Sequence, residues 1–230
     1  MTINPPSTLV LFDIDGTLLD LHGAGRKSFA LALAEAFGWM GDIDYISFAG
    51  ATDIDVLDQI FRRNQRALTP DDVSHFFTTL PRKLADSVKN VEATIYPGVP
   101  ELIEQLSAHP DVIIGLVTGN IEACAYIKLE KANLHGHFQL GAFGHEHGDR
   151  KEIARLAKSR AEAQLPPGAS FTKIYLIGDT PSDIAAARYI DATAIAVATG
   201  SYTVDQLHAA GADHVVTTLE PVADLIFRKK

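Results

Sequence analysis

Cysteine is nearly missing from this chain. Cys124 is the single one in 230 residues, so no intrachain disulfide can form and nothing points to an oxidising compartment. Long apolar runs are missing too, none approaching the ~20 residues that cross a bilayer. The opening Met1-Thr2-Ile3-Asn4-Pro5-Pro6 has neither the basic region nor the apolar stretch of a secretory signal. Positive charge is scarce: 20 Lys and Arg stand against 29 Asp and Glu, a formal net charge of −9. That balance excludes nonspecific binding to nucleic acid or an anionic membrane, while leaving room for a local cationic pocket. Low-complexity segments and short repeats are absent as well. What is present is a 47% hydrophobic composition, enough to fill a core, in a length that suits one large domain or a domain carrying an insertion. The expectation is a soluble cytoplasmic protein, monomer or homodimer, with a small-molecule partner rather than nucleic acid or membrane.

Thr8-Leu9-Val10-Leu11-Phe12 is a short apolar run that ends abruptly at Asp13-Ile14-Asp15-Gly16-Thr17. It reads as a buried strand delivering polar residues at its carboxyl end. The pattern recurs at 112–117 before Thr118-Gly119-Asn120, at 173–177 before Gly178-Asp179-Thr180, and at 194–198 before Thr199-Gly200, with a weaker run at 213–216. Helical periodicity fills the intervals at 99–108, 121–132, 150–163, 182–190, 204–209 and 221–227. Continuous apolar strands alternating with helices imply an α/β fold, a parallel sheet buried on both faces.

From Leu19 to about Val91 that rhythm breaks. Segments 25–37, 53–66 and 70–88 read as amphipathic helices with no convincing strand between them. A helical block between the first and second strands is best explained as an insertion over one sheet edge. Ligands of such sheets bind outside the strands' carboxyl ends, so the insertion would stand over that crevice as a lid. The expected division is a Rossmann-like core of residues 1–18 and 92–230 with a helical cap at 19–91.

Chemistry concentrates at the strand ends. Asp13 and Asp15 have the period-two spacing that points both side chains one way if extended geometry persists, and Gly16 permits the turn that follows. Asp179 ends another strand and Asp183 lies in the first turn of the next helix. Four carboxylates converging on one crevice repel strongly unless a cation neutralises them. An all-oxygen donor set without matched Cys or His favours Mg²⁺ over zinc, and Mg²⁺ completes its octahedron with water and substrate phosphate. A phosphate ester is the implied substrate.

Taken in order, Asp13-Ile14-Asp15-Gly16-Thr17, Thr118 in Leu116-Val117-Thr118-Gly119-Asn120, and Gly178-Asp179-Thr180-Pro181-Ser182-Asp183 resemble three motifs of the haloacid dehalogenase superfamily. The likeness is to its phosphatases with a helical cap, and Gly211-Ala212-Asp213-His214-Val215 is similar to phosphoglycolate-phosphatase-type members. The resemblance implies that Asp13 attacks phosphorus and forms an aspartyl-phosphate. Asp15 would protonate the leaving oxygen and then accept a proton from the hydrolytic water. Asp13, Asp15 through its carbonyl, Asp179 and Asp183 would hold Mg²⁺. Thr118, with the backbone of Gly119 and Asn120 and the turn at Gly16, would bind the phosphoryl group. The family also places a cation before the helix that precedes the last motif. Asp149-Arg150-Lys151-Glu152 offers two, with Arg150 the choice and Lys151 the reserve. In the cap, Phe48-Ala49-Gly50-Ala51-Thr52-Asp53 is similar to a loop in which relatives carry a basic residue where Ala51 stands. Thr52 would face substrate there, and Arg26 would supply the lost charge.

Simpler readings compete at each position. Thr180 could be an N-cap ahead of Pro181, Thr118 or Asn120 could cap the next helix, and Thr52 or Asp53 could cap the helix at 53. Capping alone leaves Asp183 without a purpose. An EF-hand fails because Thr17 and Leu18 occupy ligand and turn positions. His135, His137, His145 and His147 match no zinc spacing, Cys124 reads as a packed small hydrophobe, and Arg228-Lys229-Lys230 reads as a frayed end. Within the family, the second aspartate argues against 2-haloacid dehalogenation. A phosphosugar mutase shares the motifs, and phosphonate hydrolysis would need a cap lysine such as Lys27. A phospho-accepting signalling domain is the non-enzymatic rival, and such domains are shorter and lack a cap.

Overall fold

The computed structural model describes residues 7–228; residues 1–6, and Lys229 and Lys230 of the expected frayed end, lie outside it. The apolar runs form strands β1 (Thr8–Phe12), β4 (Val112–Val117), β6 (Lys173–Gly178), β7 (Thr193–Val197) and β8 (His214–Val216). Helices α4 (Val99–Ala108), α5 (Glu122–Lys131), α6 (Arg150–Glu162), α7 (Pro181–Tyr189), α8 (Val204–Ala209) and α9 (Val222–Phe227) fill the intervals. Between β1 and β4 come α1 (Ala24–Phe37), α2 (Asp53–Arg63) and α3 (Pro70–Val88). α2 stops short of the expected Arg66, because Asn64 caps it and Gln65 turns to a left-handed φ of 55°.

The main sheet has six parallel strands in the order β5-β4-β1-β6-β7-β8, where β5 (Leu140–Ala142) extends one edge. Every residue of β1 is buried, and they alternate between two apolar layers. Leu9 and Leu11 join the layer containing Ile153 and Ala157 of α6 and Ile184 and Ala187 of α7. Val10 and Phe12 join the layer containing Leu102 and Ile103 of α4 and Leu129 of α5. Strands apolar on both sides need helices on both sides, which gives the three-layer, Rossmann-like α/β/α arrangement.

β1 is hydrogen-bonded to β4 on one side and to β6 on the other, with Phe12 paired to Leu116 and to Ile177. This register brings the carboxyl ends of the three strands level. Strand order departs in opposite directions from β1, and that is where a crevice opens in sheets of this kind.

Three short strands escaped the periodicity reading. β5 is Leu-Gly-Ala, too brief for an apolar run. β2 (Leu19–Asp20) and β3 (Thr94–Ile95) form a two-residue antiparallel ribbon. The helices α1, α2 and α3 lie in the chain between the strands of that ribbon. They share an aromatic cluster in which Phe29 meets Phe76 at 4.7 Å and Phe37 meets Phe61 edge-on at 5.1 Å. Among the described residues no helix is long and apolar enough to cross a membrane.

Candidate active site

Asp13 follows β1 directly and is buried, its backbone N–H donating to Ile177 O of β6 at 3.0 Å. Asp179 follows β6, and Asp183 occupies the first turn of α7; both are buried. One carboxylate oxygen from each of Asp13, Asp179 and Asp183 lies within 4.8 Å of the others. Such a cluster is a place where a metal ion could be held. Arg150, buried at the start of α6, reaches into it: its NH2 pairs with Asp13 Oδ1 at 2.7 Å and its Nε donates to Asp183 Oδ1 at 2.7 Å. NH2 also donates to Val117 O at 3.2 Å, which ties the guanidinium to the end of β4.

One guanidinium does not balance three buried carboxylates. Burial, with the charges of Asp13 and Asp183, pushes Asp179 up to about 8. Asp13 rises to about 6, chiefly through burial, against the pull of Arg150. Asp179 accepts one long side-chain hydrogen bond, from Thr17 Oγ1 at 3.4 Å. Asp183 is committed on both oxygens, because Oδ2 also accepts from Thr180 N and Thr180 Oγ1 at 3.1 and 2.7 Å. That exchange is a capping box. Contrary to the sequence expectation, capping does give Asp183 a structural task beside any role toward a metal.

Gly16, directly after Asp15, adopts φ +77°, and a Cβ there would fall 2.5 Å from Asp179 Oδ2, so this turn favours glycine. The expected four-carboxylate cluster is reduced to three. The Asp15 side chain is absent from it. Lys128 Nζ donates to Asp15 Oδ1 at 2.7 Å and Oδ2 at 2.6 Å, and Asn120 Nδ2 donates to Oδ2 at 2.7 Å. Asp13 and Asp15 both face the one cavity, as the period-two spacing expects, but the Asp15 carboxylate is held by Lys128 and Asn120 rather than in the acidic cluster. As a metal ligand this residue has only its carbonyl to offer.

Thr118 lies just past β4. Its Oγ1 accepts from Asn120 N at 3.3 Å and from Asn120 Nδ2 at 2.8 Å. Both lone pairs are thereby used and the hydroxyl proton is left to be donated. Neither Thr118 nor Asn120 caps α5. α5 has no side-chain cap, and just ahead of it Asp53 Oδ2 accepts from Ile121 N at 2.8 Å. Burial holds the Asp53 carboxyl up at about 6, despite that hydrogen bond and the charge of Lys128.

The contact belongs to a seam. Asp53 N donates to Gly119 O at 2.7 Å, Ile54 N to Gly144 O at 3.2 Å, and Thr52 Oγ1 to Gly148 O at 3.3 Å. A Cβ on Gly119 would come 1.9 Å from Ala51 O, so this approach requires glycine. Above the strand ends the seam encloses a cavity of about 480 Å³, whose lining includes Asp13, Asp15, Thr118, Lys128, Arg150 and Asp179.

Gly16, Gly119 and Asn120 also line the cavity. Three other expectations differ. Lys151 is exposed and outside the lining, its backbone N–H bonded to Asp149 Oδ1 at 2.9 Å. Thr52 is buried, caps α2 through Asp55 N at 3.3 Å, and does not line the cavity. Arg26 lines it but is tied down by Ile43 O and Ile46 O, both at 2.9 Å, and lies 4.5 Å over the ring of Phe48. Cys124 is buried, and burial holds its thiol far above the usual range, as expected of a packed small hydrophobe.

Lys128 was missed, although a signal existed. Ile121, Cys124, Ala125, Lys128, Leu129 and Ala132 form the buried stripe of α5 and its flanks, and a lysine inside an apolar stripe calls for a buried anion. Burial pulls its pKa down, but the charge and hydrogen bonds of Asp15 outweigh that and hold it above the usual lysine value.

The parallel sheet thus carries an acidic cluster and a cavity at its switch point, beside a helical insertion. A family model described as haloacid dehalogenase-like hydrolase matches residues 10–197, and the chain belongs to that family. A phosphoglycolate phosphatase of Agrobacterium fabrum strain C58 is 25% identical over 232 residues, spanning 100% of this chain and 96% of its own. The probable phosphatase IndB of Dickeya dadantii is 28% identical over 222 residues, 93% and 91% of the two chains. Among solved structures, a mutant of CbbY from Rhodobacter sphaeroides in complex with xylulose-(1,5)bisphosphate superposes with TM-score 0.70. It is 21% identical and covers 92% of this chain and 94% of that one, a likeness of fold.

Proposed function

We propose that this chain is a Mg²⁺-dependent phosphatase that hydrolyses a small phosphomonoester through an aspartyl-phosphate on Asp13. The observation that carries the reading is Asp13 itself, buried at the tip of β1 on the cavity lining with one oxygen paired with Arg150.

The residues fit a hard divalent cation. Three oxygen donors converge with more negative charge than Arg150 neutralises, and the side-chain donor to Asp179, Thr17 Oγ1, is long at 3.4 Å. Asp13, Asp179, Asp183 and the Asp15 carbonyl would hold Mg²⁺. When bound, the ion supplies charge neutralisation for the phosphoryl oxygens.

The remaining roles belong to the protein. Asp13 displaces the alcohol from phosphorus. Thr118 donates its free hydroxyl proton to a phosphoryl oxygen, and Arg150 keeps Asp13 in line while adding positive charge beside it. Asp15 gives a proton to the leaving oxygen as the P–O bond breaks. It then takes one from the water that opens the acyl phosphate.

Residues 19–91 act as the cap on a core of 1–18 and 92–230, excluding bulk water and selecting the leaving group. The substrate is phosphoglycolate-like or a sugar phosphate, in keeping with the relatives' names. The test is a phosphate-release screen over small phosphomonoesters with and without Mg²⁺, using Asp13→Asn as the blank. Steady Mg²⁺-dependent release by wild type and none by the blank supports the reading. A blank as active as wild type removes the nucleophile, and single-turnover phosphorylation without release would favour the signalling alternative.

A further inference from the structure

The ammonium of Lys128 is saturated. Its three N–H groups are matched by Asp15 Oδ1, Asp15 Oδ2 and Asn120 Oδ1, the last at 2.6 Å. The ion pair is lopsided: the Lys128 side chain is 6% exposed and that of Asp15 47%. A lysine buried only to stabilise packing would call for a carboxylate buried with it. Here the closed end of the pair is the lysine and the open end faces the cavity.

The ammonium lies beside α1, where a Cβ on Gly25 would come into ordinary van der Waals contact with Nζ at 3.4 Å. Asn120 completes the clamp by donating to both Asp15 and Thr118, which links the proton-transfer carboxylate to the phosphate-binding hydroxyl.

We propose that Lys128 is a positioning residue: with Asn120 it turns the Asp15 carboxylate away from the Asp13, Asp179 and Asp183 cluster and aims it across the cavity at the leaving oxygen. This rests on the phosphatase reading. Without the clamp the carboxylate is free to rotate toward the acidic cluster and any cation held there. Proton transfer then loses its geometry while phosphate binding keeps its own groups, Thr118 and Arg150.

The test uses the full-length protein with Mg²⁺ and two kinds of ester. One is p-nitrophenyl phosphate, whose leaving group departs without a proton. The other is an unactivated ester, whichever of 2-phosphoglycolate and glucose 6-phosphate is turned over faster. Positioned acid–base catalysis is worth roughly 10²–10⁴-fold. Lys128→Met is therefore expected to lower kcat/KM on the unactivated ester by about 100-fold through kcat, with a loss about tenfold smaller on the nitrophenyl ester. In an Asp15→Asn background the same substitution should add little, because both changes disable one device. Equal losses on both esters, a loss confined to KM, or effects that multiply with Asp15→Asn would overturn the assignment. If Lys128→Met does not fold, Lys128→Arg, which keeps the charge but moves the donors, undergoes the same comparison. Wild type inactive on every ester would instead defeat the phosphatase reading, and Lys128 with it.

Discussion

Removing Arg150 tests the arrangement of charge most directly. Its guanidinium holds Asp13 at 2.7 Å, Asp183 at 2.7 Å and Val117 O at 3.2 Å, in a setting where its side chain is only 5% exposed. Arg150→Ala leaves two buried carboxylates without their cation and a carbonyl without a donor. Breaking a buried ion pair by deleting one partner costs about 3–5 kcal/mol. Two charge-assisted bonds at ~1.5–3 kcal/mol each reach the same range independently. In a chain of this size 1 kcal/mol moves Tm by roughly 2–4 °C, so a fall of about 6–20 °C is expected. Lys151→Ala, next in the chain but exposed, should stay within about 0.5 kcal/mol. Urea unfolding of the three proteins reads both numbers, and phosphate release from the same samples should rank them alike. Added Mg²⁺ should return part of the stability that Arg150→Ala loses, by restoring positive charge to the cluster. An Arg150→Ala protein within 1 kcal/mol of wild type, or a Lys151→Ala protein as damaged as its neighbour, would refute the reasoning.

Two further outcomes follow from the acidic groups. Thermal unfolding should rise steadily with the logarithm of Mg²⁺ concentration in wild type. In Asp179→Asn it should stay flat, and a parallel rise there would place the cation elsewhere. For Asp53, burial raises the folded-state pKa to about 6 from an ordinary 3.8, so folding favours its protonated form. Its contribution is whole below the unfolded value and is lost as pH climbs through about 6, a loss on the order of 3 kcal/mol by linkage. Asp53→Asn keeps the acceptor for Ile121 N and cannot ionise, so its stability should gain on wild type between pH 4 and 7. A difference between the two proteins that does not change with pH would show that Asp53 carries no such burden.

The strand-end aspartates were readable because a buried parallel strand has few ways to finish, and the register of β1 with β4 and β6 follows from burial on both faces. Asp13, Thr118 and Asp179 thus came together from pattern alone. Asp15 joins them on the cavity lining, but its carboxylate is held apart from the acidic cluster by Lys128 and Asn120, residues distant in sequence. Its partner was legible only as an anomaly in the apolar stripe of α5. Choosing between Arg150 and Lys151 required knowing which side of α6 faces the sheet. Arg26 does line the cavity, but its guanidinium donates to the carbonyls of Ile43 and Ile46, contacts that leave no mark in the sequence. Contacts between segments distant in sequence, such as Asp53 with Ile121, leave no periodic trace.

The union of Asp53 and Ile54 with the loops at Gly119 and Gly144 is written in peptide groups, which every amino acid but proline provides. Side chains at Ala49 and Ala51, beside the chamber, can therefore be exchanged without unfastening it. Such a scaffold can acquire a new clientele by altering the furniture of its chamber while the peptide fastening stays as it is.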